Sequence, residues 1–313
     1  MIAYILRRLL ATIPVMCIVA LFVFSLLYFA PGDPAAIIAG DQASTKDIEQ
    51  IRQRLGLDQS FGVRFFNWSF DIAQGNFGTS LFAGEPVLKL IIQRMEPTAS
   101  LMLLTLLLSV LIGVPMGVLA VWAPGSVIDR MIMGFVVAGF SIPVFIVGYL
   151  LAYIFSLTLG ILPVQGYSPI GRGVGAWLAS LILPSLALSF AYIALIARIT
   201  RAAMLEVLQQ DYIRTAHAKG LAEKTVLFVH ALKNASIPIV TVIGIGVATL
   251  IGGAVVTENV FAIPGIGRLT VDAILRRDYP IIQGVVLLFS FGYLIVNLLV
   301  DITYTVFDPR IRY

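Results

Sequence analysis

Residues 97–128 read PTASLMLLTLLLSVLIGVPMGVLAVWAPGSVI, a stretch without one charged side chain. A helix rises about 1.5 Å per residue, so about 20 apolar residues cross a hydrocarbon core of about 30 Å. This stretch is long enough to span a bilayer with turns to spare. Five more charge-free runs of comparable length flank it, at 9–32, 131–171, 173–197, 234–257 and 279–300. Buried helices of water-soluble domains average about 11–12 residues and must keep a polar face. Six long runs with no such face therefore predict an all-α polytopic membrane protein with six transmembrane helices.

Composition agrees: 59% of residues are apolar and 12% charged, with a mean hydropathy of +0.97, against about 25% charged in soluble domains. The net charge of +4 does not point to nucleic acid, because the basic residues gather at the ends of the runs. Lys and Arg near span ends orient a membrane protein toward the cytoplasm. Arg7 and Arg8, the 198–233 segment with Arg198, Arg201, Arg214, Lys219, Lys224 and Lys233, and the tail with Arg310 and Arg312 all fall on one side of a six-span chain. Both termini are accordingly expected in the cytoplasm. The first run is too long for the 7–15-residue core of a secretory signal, and Pro31 follows Ala30 directly. It reads as a retained span.

The expected organisation is a first transmembrane helix with an extracytoplasmic cap over 1–96, a five-helix core over 97–307 with a cytoplasmic loop at 198–233, and a tail at 308–313. In the cap, Thr45 opens a predicted helix with Ile48, Ile51 and Leu55 on one face. In the cytoplasmic loop, Asp211 is expected to cap a helix running to Lys219, and Gly220 to end it in the left-handed region. A second helix is expected from Ala222 to Lys233, with Ile213, Ala216, Leu221, Leu227, Phe228 and Leu232 turned to the bundle. The 258–278 segment, with Glu258, Pro264 and Gly265, reads as a re-entrant or surface turn on the outer side. Within the spans, Pro143, Pro238, Gly252 and Gly253 are candidate points of structural or gating adjustment. Gly113 and Gly117 form a small-residue pair that reads as helix packing.

The chemistry of enzymes is missing. None of the 27 glycines precedes a lysine, so no phosphate-cradling G-x-x-x-x-G-K-[ST] loop exists. The two histidines, His217 and His230, form no HExxH, and no metal site is expected. Cys17 lies at lipid depth, where a thiolate is poorly solvated. Asp301 is the one ionisable residue embedded in an apolar stretch, and reads as a structural ion pair or hydrogen bond rather than a proton relay. The absence of mid-span carboxylates and histidines disfavours an ion-gradient-driven secondary carrier, as does the absence of a repeat between the halves.

One set of motifs goes further. DYIRTAHAKGL at 211–221, followed by HALKNA at 230–235 and Pro238, resembles the coupling-loop signature of ABC importer permeases, in particular the dipeptide/oligopeptide/nickel branch. The resemblance extends through APGDP at 30–34, LGLD at 55–58, ENVFAIPGIGR at 258–268, RDYP at 277–280 and DPRIR at 308–312. Arg214-Thr215-Ala216 stands where the general signature has E-A-A, a variant common in the peptide branch; any carry-over of a glutamate contact is thereby withdrawn. The resemblance implies a type I importer fold in the bacterial inner membrane. It implies a second homologous permease chain, two cytoplasmic ATPases that hold the ATP and magnesium, and an extracytoplasmic solute-binding protein. It makes Asp211, Tyr212, Arg214, Thr215, Ala216, His217, Ala218, Lys219 and Gly220 the ATPase-coupling helix. The implied solutes are dipeptides or short oligopeptides, with glutathione or nickel chelates as alternatives.

Overall fold

The computed structural model describes residues 2–29, 34–39, 44–54 and 56–307. The motif positions 30–33, 55 and 308–312 lie outside the described residues, as do the side chains of Arg7 and Ile51. Among the described residues the chain is helical, with one isolated bridge between Thr79 and Pro86. Five helices are long and apolar enough to cross a membrane, and a sharply bent pair makes six if counted as one span.

The chain forms two compact units, residues 1–95 with 269–294 and residues 96–268 with 295–313. In the first unit, α1 (Ile2–Phe29) is followed by α2 (Pro34–Ala39), the expected α3 (Thr45–Arg54) and α4 (Phe61–Ala73). The last was not foreseen. It is held to α1 by Phe24, whose ring meets Phe61, Phe65 and Trp68 at centroid distances of 5.4, 5.5 and 5.2 Å. These three rings sit at i, i+4 and i+7, one helical face. Phe66 and Phe70 point outward and are exposed.

The second unit is built on α8 (Val174–Leu208), against which α5 (Val87–Trp122), α6 (Val127–Ser141), α7 (Val144–Leu151) and α12 (Ser236–Val260) pack. Close approach depends on glycine. A Cβ at Gly113 would meet Ile196 at 2.9 Å, and one at Gly117 would meet the Ala197 carbonyl at 2.8 Å, so the α5–α8 crossing requires both. On α12, a Cβ at Gly246 would fall on the Tyr192 ring and one at Gly253 would meet Leu188 at 2.6 Å, whereas Gly252 faces open space.

Three expectations are corrected or extended. The third apolar run is two arms, α6 and α7, meeting at 107°: Pro143 stands before α7 without an amide hydrogen to continue α6. A π-helical turn, Ala152–Thr158, extends the second arm. The helix of the fourth run does not end at the first arginine. α8 continues to Leu208, with Ala203 and Met204 still buried on its inner face. The 258–278 segment, read as a re-entrant or surface turn, carries a helix of its own, α13 (Ile266–Arg276), with Ile266, Leu269 and Ala273 buried on one side. α14 (Tyr279–Phe307) closes the chain, and Asp301 is half-buried on it.

Candidate functional site

The 198–233 segment is built from the end of α8 outward. After Gln209 and Gln210 the chain turns into α9 (Asp211–Ala218). Gln210, not Asp211, takes the N-cap position, with extended dihedrals and no side-chain cap; its carbonyl accepts from Ile213 and Arg214. Asp211 is the first helical residue, where its negative charge suits the helix dipole. Its carboxylate accepts from Arg214 at 3.1 Å, both side chains being largely in solvent.

The other end of α9 matches the expectation. Gly220 has φ +76°, its amide donates to the His217 carbonyl at 2.9 Å, and the Leu221 amide donates to Ala216 at 3.3 Å. That pair of bonds is a Schellman closure, in which the left-handed residue turns the chain back across the last helical turn. A Cβ at Gly220 would meet nothing within 4 Å, so only the backbone conformation calls for glycine here.

Ile213 and Ala216 are buried with Val226 against Val207 and Leu208 at the foot of α8. The return path is not one α-helix. It comprises α10 (Glu223–Thr225), a π-helical turn over Val226–Ala231 and α11 (Leu232–Asn234). Leu227 and Ala231 join Val118, Val121, Met204 and Ile239 in a second apolar cluster. Leu221 and Phe228, expected on the inner face, are 40% and 56% exposed: the wider π turn shifts the phase, so Leu227 points in and Phe228 out. The outward face of α9 presents Tyr212, Arg214, Thr215, His217, Ala218 and Lys219 to solvent. Partial burial holds the Tyr212 phenol above its ordinary pKa, so it stays a neutral donor. His217 Nε2 stands 3.6 Å from Glu223, a contact that gains charge only when the imidazole is protonated.

At the opposite end of the second unit, Glu258 is fully buried. Its Oε1 accepts from the Thr98 hydroxyl at 2.6 Å and its Oε2 from the Arg268 amide at 2.9 Å, while Thr98 Oγ1 accepts from the Ile266 amide at 2.8 Å. Two amides that the start of α13 would leave orphaned are thus satisfied, and a carboxylate sits at the positive end of a helix. Gly265 and Gly267 make room: a Cβ at Gly265 would fall on this carboxylate, and one at Gly267 would meet Val255 Cα at 2.6 Å. Pro264 is exposed just before them.

Three polar contacts escaped the sequence. Arg201 Nε and Nη2 grip Asp129 at 2.7 and 2.8 Å, and Gly125 donates to the same carboxylate at 2.9 Å. The Tyr167 hydroxyl and the Ile170 amide both donate to Glu96 Oε1, at 2.9 and 3.1 Å. Burial raises the Tyr167 pKa, keeping the donor proton in place. In the first unit, Ser80 donates to buried Asp278 at 2.5 Å. A charge ending an apolar run was the available signal for Asp129 and Glu96, but nothing local names a partner 72 residues away. Pro238 lies exposed in the first turn of α12, where a missing amide hydrogen costs little.

Residues 109–313 match the family model described as the binding-protein-dependent transport system inner membrane component, and residues 1–102 match the N-terminal model of the same systems. Similar proteins include a probable peptide ABC transporter permease protein of Sinorhizobium fredii, 56% identical over 99% of both chains. A putative peptide transport system permease protein of Brucella abortus is 45% identical over the full length of both chains. The glutathione transport system permease protein GsiC of Salmonella typhimurium is 44% identical, again over the full length of both. Among solved structures, a chain of the inward-facing MetNI methionine ABC transporter shares the fold with a TM-score of 0.58 at 20% identity, covering 71% of this chain and 97% of that one. With its multi-pass helical fold and a family model matching well over half its length, the chain belongs to the inner membrane components of binding-protein-dependent transport systems, the ABC importer permeases.

Proposed function

We propose that this permease imports dipeptides or short oligopeptides by alternating access. It pairs with a second, homologous permease chain and is driven by two cytoplasmic ATPases that bind the ATP and magnesium. An extracytoplasmic binding protein delivers the solute, and both termini face the cytoplasm, with residues 33–96 forming an outer cap.

The observation that carries the reading is the construction of α9. It is seated through Ile213 and Ala216 and closed by Gly220, and it leaves a polar face of Tyr212, Arg214, Thr215, His217 and Lys219 uncovered. A short helix so anchored passes displacement from a soluble motor to α8, which a slack loop would absorb. Peptide as the solute rests on the names carried by the Sinorhizobium and Brucella relatives. The Salmonella relative favours a second reading, glutathione, itself a short peptide.

Uptake of a labelled dipeptide by cells expressing the chain with its genomic neighbours tests both solutes, with unlabelled glutathione as competitor. Saturable uptake that excess glutathione leaves unchanged supports the peptide reading. Glutathione uptake without dipeptide uptake replaces it. For α9, Gly220→Val and the double variant Arg214→Ala with Lys219→Ala should abolish uptake at normal membrane abundance. Wild-type uptake in both variants would reduce α9 to a topological loop.

A further inference from the structure

The cytoplasmic-side foot of α5 carries an apolar pocket that the coupling reading leaves unused. Its volume is about 190 Å³, and it is lined by Val118, Leu119 and Trp122 of α5 together with Leu227, Phe228 and Lys224 of the return path. Trp122 is the last residue of its helix. Trp122 and Phe228 are 57% and 56% exposed, and Leu119 is 44% exposed, so none of the described residues covers the mouth.

We infer that this pocket holds an acyl chain of an anionic phospholipid of the cytoplasmic leaflet, with the headgroup phosphate on Lys224. The inference rests on the orientation proposed above, which puts the C-terminal end of α5 at the cytoplasmic surface. Three observations select this occupant. Tryptophan at the end of a span marks the headgroup level, so the pocket opens at the boundary between acyl chains and headgroups. An apolar cavity stays dry, which leaves hydrocarbon to fill it. Lys224 lines the same pocket as Leu227 and Phe228. Its aliphatic stem therefore lies along the apolar wall and its ammonium reaches outward to the headgroups. The nearest carboxylate in sequence, Glu223, is directed to His217 of α9. The other wall of the pocket is α5, which carries no charge from 97 to its end.

Leu227 also belongs to the cluster with Val118 and Met204 that seats the return path. A lipid chain lying beside it extends that cluster toward the bilayer, so an anionic lipid would steady the segment that follows α9. One lysine near the surface favours an anionic over a zwitterionic lipid about fivefold.

The test uses the full-length chain with Trp68→Phe and Trp177→Phe, which leaves Trp122 as the only tryptophan, in nanodiscs of unbrominated lipid with rising fractions of dibrominated phosphatidylglycerol or dibrominated phosphatidylcholine. Bromine quenches Trp122 on contact. The expected result is saturable quenching with a midpoint about fivefold lower for phosphatidylglycerol. Lys224→Ala should bring that midpoint to the phosphatidylcholine value, and Lys224→Arg should restore it. Equal midpoints for the two lipids, or a midpoint unmoved by Lys224→Ala, mean ordinary boundary lipid and overturn the inference. Absence of quenching by either lipid means a protein segment covers the pocket, and overturns it equally. The readout is independent of uptake: loss of the lipid preference with Gly220→Val still abolishing uptake removes the lipid site and leaves the coupling reading standing. The reverse pattern removes the coupling reading alone.

Discussion

Replacing Glu258 with alanine removes at once the acceptor for the Thr98 hydroxyl and for the Arg268 amide. Buried donors left without an acceptor cost about 1–3 kcal/mol each. Glu258→Ala should therefore lower the thermal unfolding midpoint of the detergent-solubilised chain markedly, and Glu258→Gln by less, as read by fluorescence-detected size exclusion. A Glu258→Ala variant melting at the wild-type temperature would show that the clamp contributes nothing. The Asp129–Arg201 pair makes a second test, since its carboxylate is 5% exposed and its guanidinium 27%. Asp129→Asn and Arg201→Gln should each destabilise by about 2 kcal/mol, and the double variant by clearly less than the sum, a coupling of about 0.5–3 kcal/mol. Additive losses would mean that the two side chains act separately. Glu258 was legible as a candidate because it ends an apolar run just before a Pro-Gly-Ile-Gly stretch. Thr98, 160 residues earlier, was not, because hydroxyls are common in apolar helices and only the packing of α5 beside α12 singles this one out.

The elements whose ends are written in local chemistry could be read in advance. Gly220 could, since an αL residue closing a helix is a property of a few neighbouring peptides. Because a Cβ there meets no atom, the penalty for other residues is conformational, about 1–2 kcal/mol. Asparagine, which tolerates the left-handed region, should then retain much of the uptake that Gly220→Val loses; equal loss in both would place the requirement elsewhere. Gly117 makes the opposite case, in which space rather than φ decides. Gly117→Leu should prevent α5 from closing on α8 and send the chain to proteolysis, measured as membrane abundance. What the sequence could not supply was every feature set by distant packing. The face of α4 depends on Phe24 of α1, and the outward turn of Phe228 depends on a π-helical phase shift. The break at Pro143 was visible as a proline, but its 107° angle is decided by what the two arms pack against.

For the whole molecule, six charge-free runs and the placement of basic residues were enough to state the class of fold. The orientation proposed from them has a direct test. In a cysteine-free background, a membrane-impermeant thiol reagent added to the outside of cells should label a cysteine placed at 58 and spare one placed at 217. The reverse pattern would invert the topology. The length of α8 carries a consequence of another kind. Its 35 residues extend about 52 Å, well past the hydrocarbon, and α9 hangs from its end after only Gln209 and Gln210. Each residue added to a helix turns everything beyond it by about 100°, so the direction in which α9 faces is an angular phase set by residue count. One alanine inserted between Glu206 and Val207 should swing α9 by more than a quarter turn and silence uptake. A seven-residue insertion would return it nearly to its original heading, though about 10 Å further out. Length variation tolerated in this stretch should therefore come in whole pairs of helical turns, as on a screw thread where only certain advances bring the mark back to the top.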